Sequence, residues 1–170
     1  AYKLIQNYIY SRTIPYPMSS KNELLLNWQD KNVDERLLLA FEQIPRELFV
    51  PPQFKEYAYE DQPLPTVRKQ SISQPTTIMI MLQSLELQEG ERVFEIGAGA
   101  GYQAALISKI IGKSGTLVTV DVIPELVHLA KKNMKYLKLT NVIVFEADGS
   151  EGFLPQAPYD RIIITAACPN

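Results

Sequence analysis

Four short apolar runs divide the second half of this chain: Val93-Phe94-Glu95-Ile96, Thr116-Leu117-Val118-Thr119-Val120, Val142 to Ala147, and Arg161 to Thr165. The first stops at Gly97, the second at Asp121 and the third at Asp148-Gly149. Between the first two, Tyr102 to Ile111 is mostly apolar, lacks proline and suits a helix. After Pro124 a helical spacing resumes through Leu126, Val127, Leu129 and Ala130. Strand-length runs alternating with helical segments predict an α/β fold, a doubly wound, mostly parallel sheet. Right-handed crossovers and the usual doubly wound order then put the fourth strand beside the first, on the side away from the second and third. Its outer edge, through Ile162, Ile163 and Ile164, is expected to be bare unless more chain or a partner covers it.

The first half is patterned differently. Leu4, Ile5, Tyr8 and Ile9 have helical spacing, but residues 1–31 give no assignable role. Asn32-Val33-Asp34-Glu35 predicts a capping box opening a helix through Phe41, with Leu37, Leu38, Phe41 and Ile44 inward. Pro45, Pro51 and Pro52 then break the chain into short pieces, and Asp61 to Ser73 reads as a loop. Pro75 suits the first turn of a helix to Leu85 whose stripe is Ile78, Leu82 and Leu85. Residues 32–90 therefore form a helical and loop cap, and residues 91–170 an α/β core, within one globular domain. The cap could serve a substrate or only shield one face of the sheet.

Composition narrows the partners. At 46% apolar, the 170 residues suffice for a proper core. A formal charge of −2, from 17 basic and 19 acidic residues, offers no footprint for nucleic acid or an acidic membrane. A single cysteine, Cys168, excludes an internal disulfide, suits a reducing cytoplasm, and with one histidine argues against zinc. His128 falls in a helix among apolar neighbours, where a structural role is expected, and Cys168 has no candidate triad partners.

The chemistry concentrates at the first strand's end. Gly97, Gly99 and Gly101 make a tight strand-to-helix turn where backbone can approach a ligand. The dinucleotide fingerprint would need glycine at 102, which is Tyr102, and no Walker lysine follows. Asp121 ends the second strand, placed to accept the ribose hydroxyls of a nucleoside. The glycines alone could be only a tight turn, and Asp121 could be a helix cap. Asp148-Gly149 shares the same carboxyl edge, where open α/β sheets bind ligands. Ser73 precedes Pro75 and could be an N-cap hydroxyl.

Several stretches carry a resemblance: Arg46-Glu47-Leu48-Phe49-Val50-Pro51, Ala58-Tyr59-Glu60-Asp61, Gln70-Ser71-Ile72-Ser73-Gln74-Pro75, Glu95 to Ala105, Asp148-Gly149-Ser150 and Ala157 to Arg161. Together, from about Asn32 to Asn170, they resemble the protein-L-isoaspartate (D-aspartate) O-methyltransferase family. The resemblance implies S-adenosyl-L-methionine as cofactor and isoaspartyl residues of damaged proteins or peptides as substrate. It implies that Ser73 orients the substrate carboxylate beside the transferred methyl. Gln70, Ser71 and Ile72 would line the cofactor pocket, with the Gly97–Gly101 backbone under the methionine moiety, Asp121 on the ribose, and Asp148 with Gly149 at the adenine.

Two departures from the family stand out. Thr66-Val67-Arg68-Lys69 replaces a glycine-containing loop, stiffening it and adding two positive charges. The sheet also stops after Thr165-Ala166-Ala167, where the family continues with further strands. The chain is therefore expected to be a truncated enzyme. Two other readings share this core: methylation of a different carboxylate, and a non-catalytic cofactor-binding fragment.

Overall fold

The computed structural model describes residues 20–166. The proposed spacing of Leu4 to Ile9, and Cys168, lie outside them. The first helix, α1 (Lys21–Asp30), opens on a capping box: Ser20 Oγ accepts from Glu23 N, and the Glu23 carboxylate from Ser20 N, each at 3.2 Å. It buries Leu24 and Trp28, and the Trp28 indole meets Phe41 edge-on with centroids 4.6 Å apart. Phe41 belongs to α2 (Glu35–Gln43), so the helix before residue 32 packs on the one after it. Each such buried side chain contributes roughly 1.5–3 kcal/mol.

The capping box expected at Asn32 does not form. Asn32 closes α1 instead, its N–H donating to Gln29 O at 3.1 Å and its φ at +54°. Asp34 is the true N-cap of α2, accepting from Arg36 N at 2.8 Å. The expected inner face holds: Leu37, Leu38, Phe41 and Ile44 are all buried.

The prolines break the following segment into two 3₁₀ turns, Arg46–Leu48 and Pro52–Tyr57. The expected loop from Asp61 to Ser73 contains a small hairpin, β1 (Leu64–Pro65) antiparallel to β2 (Ser71–Ile72), with Leu64 opposite Ile72. At its tip Arg68 and Lys69 take left-handed conformations, φ +57° and +60°. Helix α3 (Pro75–Leu85) follows with the expected bounds, Ile78 and Leu82 buried.

The remainder is the α/β core: β3 (Arg92–Ile96), α4 (Tyr102–Ile111), β4 (Thr116–Asp121), α5 (Pro124–Tyr136), β5 (Val142–Glu146) and β6 (Arg161–Ile164). The strands are parallel in the order β5-β4-β3-β6, so the last strand lies beside the first as expected. Val93, Leu117, Val144 and Ile163 face the main core together with the buried side chains of all five helices. The opposite face holds Phe94, Val118 and Val120, covered by Phe153 and Tyr159 with Tyr159 stacked 4.8 Å from Phe94. On that face of β6, at the sheet edge, Ile162 and Ile164 are 55% and 46% exposed.

Candidate functional site

The chain leaves β3 in a turn whose glycines answer different demands. Gly97 has φ +101°, and a Cβ there would meet Thr165 Oγ1 at 2.7 Å and Ala166 N at 2.8 Å. Gly99 has φ +54° with nothing within 4 Å of its notional Cβ, so it borders open space. A Cβ at Gly101 would strike Met134 Cε at 2.9 Å, so this glycine lets α5 pack closely. The turn is fixed through its backbone. Gly97 N and Ala98 N both donate to Val120 O at 2.9 Å, and Asn133 Nδ2 donates to Ala100 O at 2.9 Å. Thr165 Oγ1 donates to Gly97 O at 2.8 Å. Helix α4 begins immediately afterwards without a side-chain cap. Uncapped amides there favour an anion.

Asp121, at the end of β4, binds this turn as well. Its Oδ2 accepts from Gly99 N at 2.9 Å and its Oδ1 from Ile123 N at 3.0 Å. The N-cap of α5 is Ile123, so the capping alternative for Asp121 falls. Each carboxylate oxygen keeps a lone pair for a further donor. Asp148 lies exposed past β5, and a backbone bond from Ser150 N at 2.9 Å holds its carboxyl below the usual range. Gly149 is needed for close approach: a Cβ would meet Val120 Cγ2 at 2.8 Å and Ile96 Cγ2 at 2.9 Å.

Beneath the turn sits a group to which the sequence assigned no role. Glu95 is fully buried on the helix-packed face; Oε2 accepts from the Thr119 hydroxyl at 2.6 Å and Oε1 has no partner. Burial pushes its pKa up to about 8, despite the opposing Thr119 bond.

Ser73 stands on the opposite wall. Helix α3 has Gln74 as its N-cap, so Ser73 is not the cap. The first-turn amide of Thr76 is satisfied by Asp61 Oδ1 at 2.8 Å, while the Thr76 hydroxyl donates to Asp61 Oδ2 at 2.7 Å and accepts from Trp28 Nε1 at 3.1 Å. The Ser73 carbonyl accepts from Arg46 Nη2 at 2.9 Å. Its hydroxyl makes no hydrogen bond among the described residues, and Ser73 lines the cavity.

Between these walls lies a cavity of about 740 Å³, a size suited to a small-molecule ligand. Gln70, Ser71, Ile72 and Ser73 line one side; Gly97, Gly99, Asp121, Asp148 and Gly149 line the other. Gly101 does not line it. Tyr102 and Gln103 do, as does Thr165 from the end of β6, and only their place after the glycine turn and the strand could have flagged them. His128 is exposed on α5 and outside the lining. The cavity opens at the carboxyl end of β3, where the chain reverses its direction across the sheet. That is the usual ligand crevice of an open α/β sheet.

The sequence model of protein-L-isoaspartate(D-aspartate) O-methyltransferase matches residues 19–170. This chain belongs to that family. It is 48% identical over 139 residues to protein-L-isoaspartate O-methyltransferase 1 of Archaeoglobus fulgidus, covering 82% of this chain and 64% of that protein. The enzyme of that name from Methanothrix thermoacetophila is 41% identical over 150 residues, covering 88% of this chain and 71% of its own. A solved protein-L-isoaspartate O-methyltransferase superposes with a TM-score of 0.77 at 33% identity, over 86% of this chain and 48% of that one. A Plasmodium falciparum crystal structure in complex with S-adenosyl-L-homocysteine, at 20% identity and a TM-score of 0.73, shares the fold. The chain thus spans less than two thirds of the Archaeoglobus family member. No helix among the described residues is long and apolar enough to cross a membrane. Among those residues no group of three or more His, Cys, Asp or Glu could hold a metal ion.

Proposed function

We propose that this protein binds S-adenosyl-L-methionine in the cavity and methylates the free carboxylate of L-isoaspartyl and D-aspartyl residues in damaged proteins, opening their repair. The observation that carries this reading is convergence: residues from three separate stretches meet in one cavity, in a chain of the isoaspartyl methyltransferase family. The cavity residues fit the cofactor. Open space beside Gly99 admits the methionine moiety against the backbone, and the uncapped start of α4 favours its carboxylate. Asp121 retains acceptor capacity for both ribose hydroxyls, and Asp148, held ionised by Ser150 N, accepts from the adenine amino group. Gln70, Ser71 and Ile72 close the other side.

When bound, the cofactor supplies a methyl group that passes to a substrate carboxylate oxygen, the electron pair of the broken carbon–sulfur bond staying on sulfur. A carboxylate with a pKa near 4 is already ionised at neutral pH, so the protein supplies no general base. Its residues supply alignment. The free Ser73 hydroxyl donates to the carboxylate and sets its direction of approach, and such orientation can contribute up to roughly 7–11 kcal/mol.

Labelled S-adenosyl-L-methionine offered with an isoaspartyl peptide and with its aspartyl twin tests the reading. Label is expected in the isoaspartyl peptide alone. Transfer to other carboxylates instead would establish a different acceptor, and cofactor binding with no transfer would establish a binding module.

A further inference from the structure

Arg46 is the largest charged side chain in the core and is 0% exposed. Its Nε donates to Ala58 O at 2.7 Å and its Nη2 to Ser73 O at 2.9 Å, while Nη1 has no partner. The guanidinium carbon lies 5.0 Å from the centroid of the Tyr102 ring. No carboxylate is bonded to it. Glu47, its chain neighbour, accepts from the Tyr59 hydroxyl at 2.5 Å, and Asp61 is occupied by Thr76. A cation buried without a bonded counter-ion is costly, and an apolar side chain of similar volume often serves stability as well.

What the charge does instead is join two parts of the site. Ser73 belongs to the irregular segment between β2 and α3, which has only a two-residue strand to hold it. Tyr102 is the first residue of α4, directly after the glycine turn. Both line the cavity. One planar guanidinium grips a carbonyl of the first and the ring face of the second, a geometry that lysine reproduces only in part.

We propose that Arg46 is a positioning residue for methyl transfer, setting the distance of the Ser73 wall from the glycine-turn wall. The proposal rests on the methyltransferase reading above. Arg46→Met keeps much of the buried volume and removes the bonds and the charge; Arg46→Lys restores the charge and one donor. A misplacement of about 1 Å can cost about 100-fold. Arg46→Met is therefore expected to lower kcat on the isoaspartyl peptide at least about tenfold per folded molecule, with S-adenosyl-L-homocysteine affinity within about threefold of wild type. Arg46→Lys is expected to recover part of that loss. In the Ser73→Ala background the further loss should nearly vanish, because Arg46 acts through Ser73. Amide exchange measured without any ligand is a second readout: residues 70–74 should exchange about tenfold faster in Arg46→Met, with 97–103 nearly unchanged. Normal kcat per folded molecule, or losses that multiply independently with Ser73→Ala, would overturn the proposal. So would unchanged exchange at 70–74. Should wild type methylate no peptide, the methyltransferase reading falls, and the exchange measurement alone decides whether Arg46 holds the Ser73 wall. If Arg46→Met fails to fold, the same comparisons are made with Arg46→Lys, expected at an intermediate value.

Discussion

The two walls of the cavity are held by different means. The glycine-turn wall grows from the ends of central parallel strands, and its backbone is tied to the adjacent strand at Val120 and Asp121. The Ser73 wall has two-residue strands and 3₁₀ turns, held by side chains from far along the chain: Arg46 to Ser73 spans 27 positions, Trp28 to Thr76 spans 48, and Arg68 to Glu125 spans 57. The first wall is set by backbone geometry and the second by a scatter of polar contacts. Damage to the first should appear in folding where a side chain would meet packed neighbours and in cofactor affinity where it borders the cavity, and damage to the second in turnover and ligand exchange.

Two glycines of the same turn give the widest separation. Gly97→Ala places a methyl against Thr165 Oγ1 at 2.7 Å and Ala166 N at 2.8 Å at a φ of +101°. A loss above about 3 kcal/mol in urea unfolding is expected, the size that marks overpacking combined with backbone strain. Gly99→Ala meets nothing within 4 Å, so only the left-handed backbone counts, about 1–2 kcal/mol. Its effect should fall on cofactor affinity, since its methyl enters the open space. Equal destabilisation by the two substitutions would refute this assignment of roles.

Asp121 carries the next effect. Asp121→Ala removes the acceptor for Gly99 N and for the proposed ribose contact, with charge-assisted bonds worth about 1.5–3 kcal/mol each. Calorimetry with S-adenosyl-L-homocysteine should show affinity lower by about 10–100-fold. An unchanged affinity would remove Asp121 from the cofactor site.

Below the same wall, Glu95 makes stability depend on pH. Its folded pKa of about 8 lies above the ordinary 4.5, so the native state keeps a proton that the unfolded chain releases. The Glu95 contribution to stability is then full below about 4.5 and is lost as pH rises to about 8. Glu95→Gln can still accept from Thr119 and cannot ionise. Between pH 5 and pH 9, wild type should lose up to about 4 kcal/mol more than the variant in urea unfolding. Parallel curves for the two proteins would show that Glu95 does not carry the dependence.

The contrast between walls also explains what could be read from the sequence. The β3 to α4 turn was legible because glycine spacing, the apolar run before it and the acidic end of β4 each constrain the backbone locally. Strand order followed from right-handed crossovers combined with the usual doubly wound order. Ser73 was placed on the site by its resemblance, while its local reading as a helix cap failed because Asp61, distant in sequence, takes the Thr76 amide. The box at Asn32 failed for a similar reason: Asn32 completes the turn that ends α1. Arg46 and Glu95 carried no signal of their own roles, since burial without a partner is a property of tertiary packing.

The smallest expected effect lies in the ion pair between the hairpin tip and α5. Arg68 Nε donates to Glu125 Oε1 at 2.8 Å, joining the hairpin tip to the first turn of α5. Gln70 and Ser71, close after Arg68, and Ile123 and Leu126, flanking Glu125, line the cavity. The side chains are 65% and 45% exposed, so water and salt screen them strongly. Such a pair contributes little to folding but ties two elements that both supply cavity-lining residues. Arg68→Ala is expected to speed release of S-adenosyl-L-homocysteine by about two- to fivefold in stopped-flow displacement, leaving thermal stability unchanged. Reversing both charges, Arg68→Glu with Glu125→Arg, should restore the slow rate. In 1 M salt, where the screening length falls to about 3 Å, wild type and Arg68→Ala should release at the same rate. An off-rate unaffected by the substitution at low salt would show that the two elements are held together by packing rather than by charge.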